Sequence, residues 1–295
     1  MKIEKYQEGF FDERPGLYPW PDLLVKFGFS KGYKPRDVKF KKYLGLLGIK
    51  KDDKVLDVGC GEGIFLARIA KTYEVDGTGV DISKKSIATA KSLRQAQGKL
   101  LRLRSGQAYR LRFQVADATK LPFPNESFNH VLSFDFLEHT NKQKRVLAEM
   151  VRVLKPGGGL LVYTINKNQR YTWNLLLDKL GVDVYKRVAH DPSLFLEPRW
   201  VKKELERMGI GVERLELYGS FFTLALDEAI MLFILCSKRL GFWSPASCKK
   251  IAVGRIFLNL ADFFSRFLLV PLEVLEIPWK KAGYSNSFFV LGRKR

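Results

Sequence analysis

The sequence predicts an α/β fold: a doubly wound, seven-stranded sheet, mostly parallel, with the last strand antiparallel and an apolar helical insertion before it. Three observations predict it. Short apolar runs alternate with helical patterns from about residue 54 to residue 218, as β-α units of a parallel sheet do. The first run, Val55-Leu56-Asp57-Val58, opens onto Gly59-Cys60-Gly61-Glu62-Gly63 and then a helix carrying Phe65, Leu66 and Ile69; glycines there let the backbone turn tightly and let a ligand approach it. A second strand, through Gly79 and Val80, ends on Asp81, eighteen residues past Gly63, where a carboxylate can accept both hydroxyls of a ribose.

The remaining elements follow in order. Residues 1–34 hold eight aromatics among Pro and Gly and read as an N-terminal arm, with a short helix near Leu23–Phe27, that either closes over a ligand or packs on the core. Pro35 suits a helix start, and Phe40, Tyr43, Leu44 and Leu47 repeat at the spacing of one buried face; Gly48 ends that helix. Ser83 can cap a helix through Ala90. Between Asp81 and Asp117 there is no acid but nine Lys and Arg. Leu93–Arg110 therefore reads as a basic insertion, either a contact for nucleic acid or phospholipid or a solvated surface without a role. Phe113–Asp117 is the third strand, Leu121–Ser127 a loop with turn chemistry, and Phe128–Ser133 the fourth strand. Val146, Leu147, Met150, Val151 and Leu154 make one face of the next helix. Lys155-Pro156-Gly157-Gly158 terminates it, and Leu160–Thr164 is the fifth strand. Pro198–Met208 is an amphipathic helix stopped by Gly209, Val212–Tyr218 the sixth strand, and Ser287–Arg293 the seventh, running back along the sheet edge.

Residues 220–283 interrupt the last two strands. From Arg255 to Glu276 the polar residues Arg255, Asn259, Asp262, Arg266 and Glu273 form one narrow helical stripe, with Pro271 set to kink it. Ile230–Cys236 is apolar all round. Neither run is long enough to span a bilayer. Lys pairs and Trp243 and Trp279 edge these segments, which suits a membrane–water interface; a cap packed on the domain or on a second subunit fits equally.

The chain of 295 residues, 46% of them hydrophobic, is expected to be a single domain spanning 1–295. Its net charge of +20 favours a polyanionic partner, nucleic acid or an anionic membrane surface, although solvated Lys faces give the same total. Cys60, Cys236 and Cys248 form no C-x-x-C pair, so neither a disulfide framework nor a metal is expected and a reducing cytosol fits. The N-terminus has no apolar h-region, so no signal peptide is expected. The expected location is cytoplasmic, peripheral on the inner membrane face if the apolar insertion docks there.

A dinucleotide fingerprint, G-x-G-x-x-G/A, would put Gly or Ala where Ile64 stands. The pattern present, D-x-G-x-G-x-G from Asp57 to Gly63, resembles motif I of class I S-adenosylmethionine-dependent methyltransferases. Over residues 36–166 the chain is similar to the methyltransferase type 11 group, through Val55–Gly63, Val80-Asp-Ile-Ser, Ala116-Asp-Ala-Thr-Lys-Leu-Pro-Phe, Phe136-Leu-Glu-His and Leu154-Lys-Pro-Gly-Gly. The resemblance implies a Rossmann-like sheet and S-adenosyl-L-methionine as cofactor. It implies that Asp57, Gly59 and Gly61 line the methionine part, Asp81 holds the ribose, and Ile82 lies under the adenine. Asp117, beside Ala118, would accept from the adenine amino group, and Phe134 and Asp135 would border the methionine end. One departure is Asn129, where the family often has Asp, at a position usually remote from the cofactor.

A hydroxyl or acidic carbon acceptor would also need a base, and His139 and His190 are the candidates. The alternatives are that His139 only orients the loop after the fourth strand and that His190 is a surface turn residue before Pro192. The leading expectation is methyl transfer to a lipid-like or prenylated small molecule at a membrane surface. An RNA methyltransferase using the basic insertion is second, and a non-enzymatic cofactor-binding module third. Against the second, the Asn/Asp-Pro-Pro-Tyr type of signature is absent after the fourth strand, where Asp135-Phe-Leu-Glu-His stands.

Overall fold

A computed structural model describes residues 35–98, 110–181, 190–223, 225 and 271–295. The expected helix near Leu23–Phe27, residues 99–109 of the basic insertion, Ile230–Cys236 and the stripe from Arg255 to residue 270 lie outside these residues.

Seven strands, β1 (Lys54–Val58), β2 (Asp76–Asp81), β3 (Leu111–Val115), β4 (Phe128–Phe134), β5 (Leu154–Ile165), β6 (Ile210–Tyr218) and β7 (Ser287–Lys294), form one sheet in the order β3-β2-β1-β4-β5-β7-β6. Neighbours are parallel from β3 across to β5, and β7 is antiparallel to both β5 and β6. The strand order reverses between β1 and β4. In open α/β sheets a crevice forms beyond the carboxyl ends of the strands at that switch point.

The helices are α1 (Pro35–Leu47), α2 (Ile64–Tyr73), α3 (Lys84–Gly98), α4 (Gln143–Val153), α5 (Trp173–Lys179), α6 (Pro198–Arg207) and α7 (Ile277–Lys281). They cover both faces of the sheet. Phe40, Tyr43 and Leu47 of α1, Leu66 and Ile69 of α2 and Ile87 of α3 build one apolar cluster. Val146, Leu147 and Met150 of α4 with Val201 and Leu205 of α6 build the other. Phe40 meets Phe134, Tyr163 and Phe289 at ring-centroid distances of 4.9, 5.1 and 5.2 Å, so α1 closes over the centre of the sheet next to the crevice. The expected cap is present: Ser83 Oγ accepts from the Ser86 amide at 3.1 Å.

Four expectations need correction. The seventh strand is not at the edge: β7 lies between β5 and β6, and β6 is the edge. Phe288, Phe289, Val290 and Leu291 are all buried, as a continuous apolar run covered on both faces requires. Leu154 does not close the helix but begins β5. Phe128 pairs with Leu154 and His130 with Gly159, so Lys155–Gly158 loops out of register opposite Asn129, with Gly157 at φ 72°. The third strand ends at Val115, which leaves Ala116 and Asp117 in the loop at the carboxyl edge. Helix α3 continues to Gly98, so the first residues of the basic stretch extend a helix.

Both ends of the 220–283 interruption leave from the carboxyl edge, because antiparallel β7 begins where β5 ends, with Ser287 opposite Ile165. They are tied together by Glu276, which is fully buried and accepts from the Thr223 amide at 2.8 Å and from Thr223 Oγ1 at 3.0 Å. Lys280, one turn on, meets the same carboxylate at 3.2 Å.

Candidate active site

The turn after β1 holds three glycines at positive φ, and two of them have different reasons to be glycine. A Cβ on Gly59 would lie 2.2 Å from the Phe136 ring, whereas a Cβ on Gly61 would meet nothing within 4 Å. Gly59 is thus fixed by packing, and the open approach expected of the whole turn belongs to Gly61. The amides of Gly59 and Cys60 both donate to the Val80 carbonyl at 2.9 Å, which stitches the turn to the end of β2. The Gly61 amide donates to Asp81 Oδ2, and the Ser83 amide to Asp81 Oδ1, each at 2.9 Å. The two amides hold Asp81 in place.

Asp57, near the carboxyl end of β1, is only 2% exposed. Burial, then the charge of Asp81, pushes its carboxyl up to about 7. Burial followed by Asp57 and Asp81 raises the Cys60 thiol well above its ordinary range, which removes it as a nucleophile at neutral pH. Two carboxylates at adjacent strand ends make the bottom of this crevice a place for positive charge.

Its rim is apolar and open. Ile82, one residue beyond β2, is 42% exposed, and Val115 at the end of β3 is 44% exposed. Asp117 is exposed, its Oδ1 accepting from the Thr119 amide at 2.8 Å, whereas Ala118 is buried in the core. Phe134 is buried too: it packs on Phe40 and, at 5.6 Å, on Phe65, so it forms a wall and not an exposed lining. Asp135 follows at φ 49°, and its amide donates to the Tyr163 carbonyl at 3.1 Å. A non-glycine residue in the left-handed region at a strand's carboxyl end marks a turn imposed by its surroundings.

Beyond Asp135 a short 3-10 helix, Leu137–His139, carries both Glu138 and His139. The His139 and His190 rings lie 4.9 Å apart with 35° between their planes. His190 is half-buried rather than open to solvent: burial, with His139 beside it, pushes its imidazole down to about 3, which favours the neutral ring and makes it a weak base. Phe195 meets it edge-on at 5.9 Å. Glu138, fully buried, accepts from Thr164 Oγ1 at 2.7 Å. Sequence reasoning quoted Glu138 within Phe136-Leu-Glu-His and gave it no role. Asn129 sits at the opposite end of the sheet, accepting from the Lys54 amide at 3.0 Å, which agrees with a position away from the crevice.

Residues 56–162 match the family model described as a methyltransferase domain. The chain is 35% identical over 113 residues to ajmaline N-methyltransferase of Rauvolfia serpentina, covering 38% of this chain and 36% of that protein. It is 38% identical over 117 residues to a sterol 24-C-methyltransferase of Neurospora crassa, covering 40% and 29%. The chain thus spans about a third of the length of the curated relatives it matches. Its fold is similar to that of geranyl diphosphate C-methyltransferase from Streptomyces coelicolor A3(2), crystallised with S-adenosyl-L-homocysteine, at a TM-score of 0.56 and 13% identity, covering 88% of this chain and 79% of that one.

Proposed function

We propose that the protein, whose residues 56–162 match a methyltransferase-domain model, is a class I S-adenosylmethionine-dependent methyltransferase that transfers a methyl group to a lipid-like or prenylated small molecule at a membrane surface. The observation that carries the methyl-transfer reading is the crevice floor: two carboxylates, Asp57 and Asp81, beside a glycine whose Cβ position is open. These residues fit the cofactor. Asp81 stands at the end of β2 where a carboxylate would meet ribose hydroxyls, Ile82 and Val115 offer an apolar ledge for adenine, and Asp117 is exposed beside that ledge. Asp57 supplies negative charge where a cationic ligand would lodge.

When bound, S-adenosylmethionine supplies a methyl group already activated on a sulfonium sulfur. The protein's share is positioning and dryness. Phe134, Phe65 and Phe40 wall the crevice with apolar surface, and the Gly59–Gly61 turn, fixed through Val80 and Asp81, sets the approach. Burial leaves His190 weakly basic, which argues against it as a general base.

The lipid-like acceptor is supported by the surface at the same edge of the sheet. Val274, Leu275 and Ile277 in the stem of the interruption and Leu180 after α5 are all exposed, Leu180 by 70%. Lys179 and Lys281, both exposed, stand in the same segments. Exposed apolar side chains with cations in the same segments suit an anionic membrane. Among the described residues no helix is long and apolar enough to cross a membrane, so contact would be at the surface. Incubation with methyl-labelled S-adenosylmethionine and separate lipid, RNA and water-soluble extracts tests the reading. Label is expected in the lipid fraction; label only in RNA would replace the acceptor, and label in none would remove it.

A further inference from the structure

Sequence alone placed His139 and His190 as separate candidate bases and expected no metal. The fold brings them together with Glu138, and the ligand atoms of all three lie within 4.8 Å of one another. We propose that Glu138, His139 and His190 form a binding site for one divalent cation of the zinc type, beside the crevice, with a coordination position left for an oxygen of the acceptor.

The donor set argues for this class of ion. Two imidazoles and one carboxylate, with a position open, are the protein ligands of catalytic zinc sites, and borderline cations prefer such nitrogen and oxygen donors. Mg²⁺ and Ca²⁺ prefer all-oxygen shells. Around a tetrahedral ion with bonds of about 2.0–2.2 Å the donors would stand roughly 3.3 Å apart, so the observed cluster needs a contraction on the order of 1 Å, within reach of small side-chain rotations.

The surroundings point the same way. His190 Nε2 is buried and has no hydrogen-bond partner, although an imidazole nitrogen shut away from water is costly unless something engages it. Thr164 Oγ1 holds Glu138 Oε2 at 2.7 Å, the kind of outer hydrogen bond that orients a ligating carboxylate. Phe195, edge-on to His190, screens the cluster.

Its position gives it a use. Leu137–His139 follows directly on Asp135 at the carboxyl end of β4, and Thr164 lies near the carboxyl end of β5, so the cluster sits at the edge of the sheet that carries the crevice. A cation there would anchor a hydroxyl or other oxygen of the acceptor. On this assignment the two histidines hold an ion and do not accept a proton. That use rests on the methyltransferase reading; the binding of the ion does not.

The test uses the full chain, stripped with chelator. Zn²⁺ is titrated against a chromophoric competitor, and Co²⁺ is substituted to read its visible d–d absorption. One Zn²⁺ per chain is expected, with a tetrahedral-type Co²⁺ spectrum and much weaker binding of Mg²⁺. Glu138→Gln and His190→Asn should each weaken Zn²⁺ by at least ~100-fold, more than the ~10–100-fold seen when only an outer partner is removed. Thr164→Val should fall within that smaller range. Far-UV circular dichroism and a thermal melt of each variant report folding; if Glu138→Gln fails that control, His190→Asn and Thr164→Val decide. Wild type without stoichiometric Zn²⁺, or folded variants that bind it as tightly, would overturn the site. A chain that binds Zn²⁺ as described but no S-adenosylhomocysteine keeps the site and loses the methyltransferase reading.

Discussion

Asp57 carries a conflict that fixes its behaviour. Its carboxyl is buried beside Asp81 and sits at about 7, against 3.8 in an unperturbed chain. Between those pH values the unfolded chain has released the proton and the folded chain keeps it. Folding therefore takes up a proton, and stability falls as pH rises from about 4 to about 7, then levels off. At about 1.4 kcal/mol per tenfold the loss is on the order of 4 kcal/mol. Asp57→Asn removes the titrating group. Denaturant titrations of the ligand-free protein at pH 4.5 and 7.5 should show a fall in wild type and a much smaller one in the variant; equal slopes would show that Asp57 titrates normally. Asp81 acts differently, as an acceptor held by two amides. Asp81→Ala should weaken S-adenosylhomocysteine by roughly 1–3 kcal/mol, the worth of two hydrogen bonds to a charged group, and calorimetry reads this directly. Asp57, Gly61 and Asp81 were legible in the sequence because a glycine-rich turn and an acid at the end of the next strand are local signals. The environment of His190 was not: its neighbour His139 is fifty-one positions away, and only the crossover after β5 brings them together.

Every strand was legible to within a few residues except at the start of β5, since apolar runs between turn residues are a period signal. The place of β7 was not, because burial on both faces shows that a strand is internal without naming its neighbours. The start of β5 was missed for a related reason: Lys155-Pro-Gly-Gly stops a helix in isolation, but here it bulges out of a strand pairing already begun at Leu154. One latch went unread as well. Arg152 in α4 donates to the carbonyls of Phe123 and Leu121 at 2.8 and 3.0 Å and to Asn125 Oδ1 at 2.9 Å. Its hydrogen bond to Glu149 holds that carboxyl below the ordinary range, and Glu149 in turn accepts from the Leu121 amide at 2.7 Å. This fixes the loop 121–127 against α4. Arg152→Ala should destabilise the protein by roughly 2–4 kcal/mol and speed hydrogen exchange at the Leu121 amide. Unchanged exchange there would mean that the loop is held by its apolar contacts alone.

For the whole molecule, charge and the family resemblance were legible early, and the acceptor was not. Motifs at the strand ends encode the common cofactor. On the proposed reading, acceptor choice is assigned to surfaces assembled from segments far apart in the chain, such as 166–180, 190–196 and the stems of the 220–283 interruption, whose residues share no local pattern. The membrane reading joins those surfaces to the net charge of +20. In flotation the protein should move with anionic vesicles, less with neutral ones, and less at high salt, each basic residue near the surface contributing about 1 kcal/mol. Leu275→Asp with Ile277→Asp, both exposed, should release it while S-adenosylhomocysteine binding persists. Wild type that ignores anionic vesicles would point instead to a soluble acceptor.

The central claim is that the crevice over Gly61, between Asp57 and Asp81, is a site for S-adenosylmethionine. Isothermal titration of the wild-type chain with S-adenosylmethionine and, separately, with NAD tests it most directly. The account predicts one S-adenosylmethionine per chain, bound more tightly at pH 8 than at pH 6 because ionised Asp57 favours a cation, and no measurable NAD binding. Tight NAD binding without S-adenosylmethionine would contradict it.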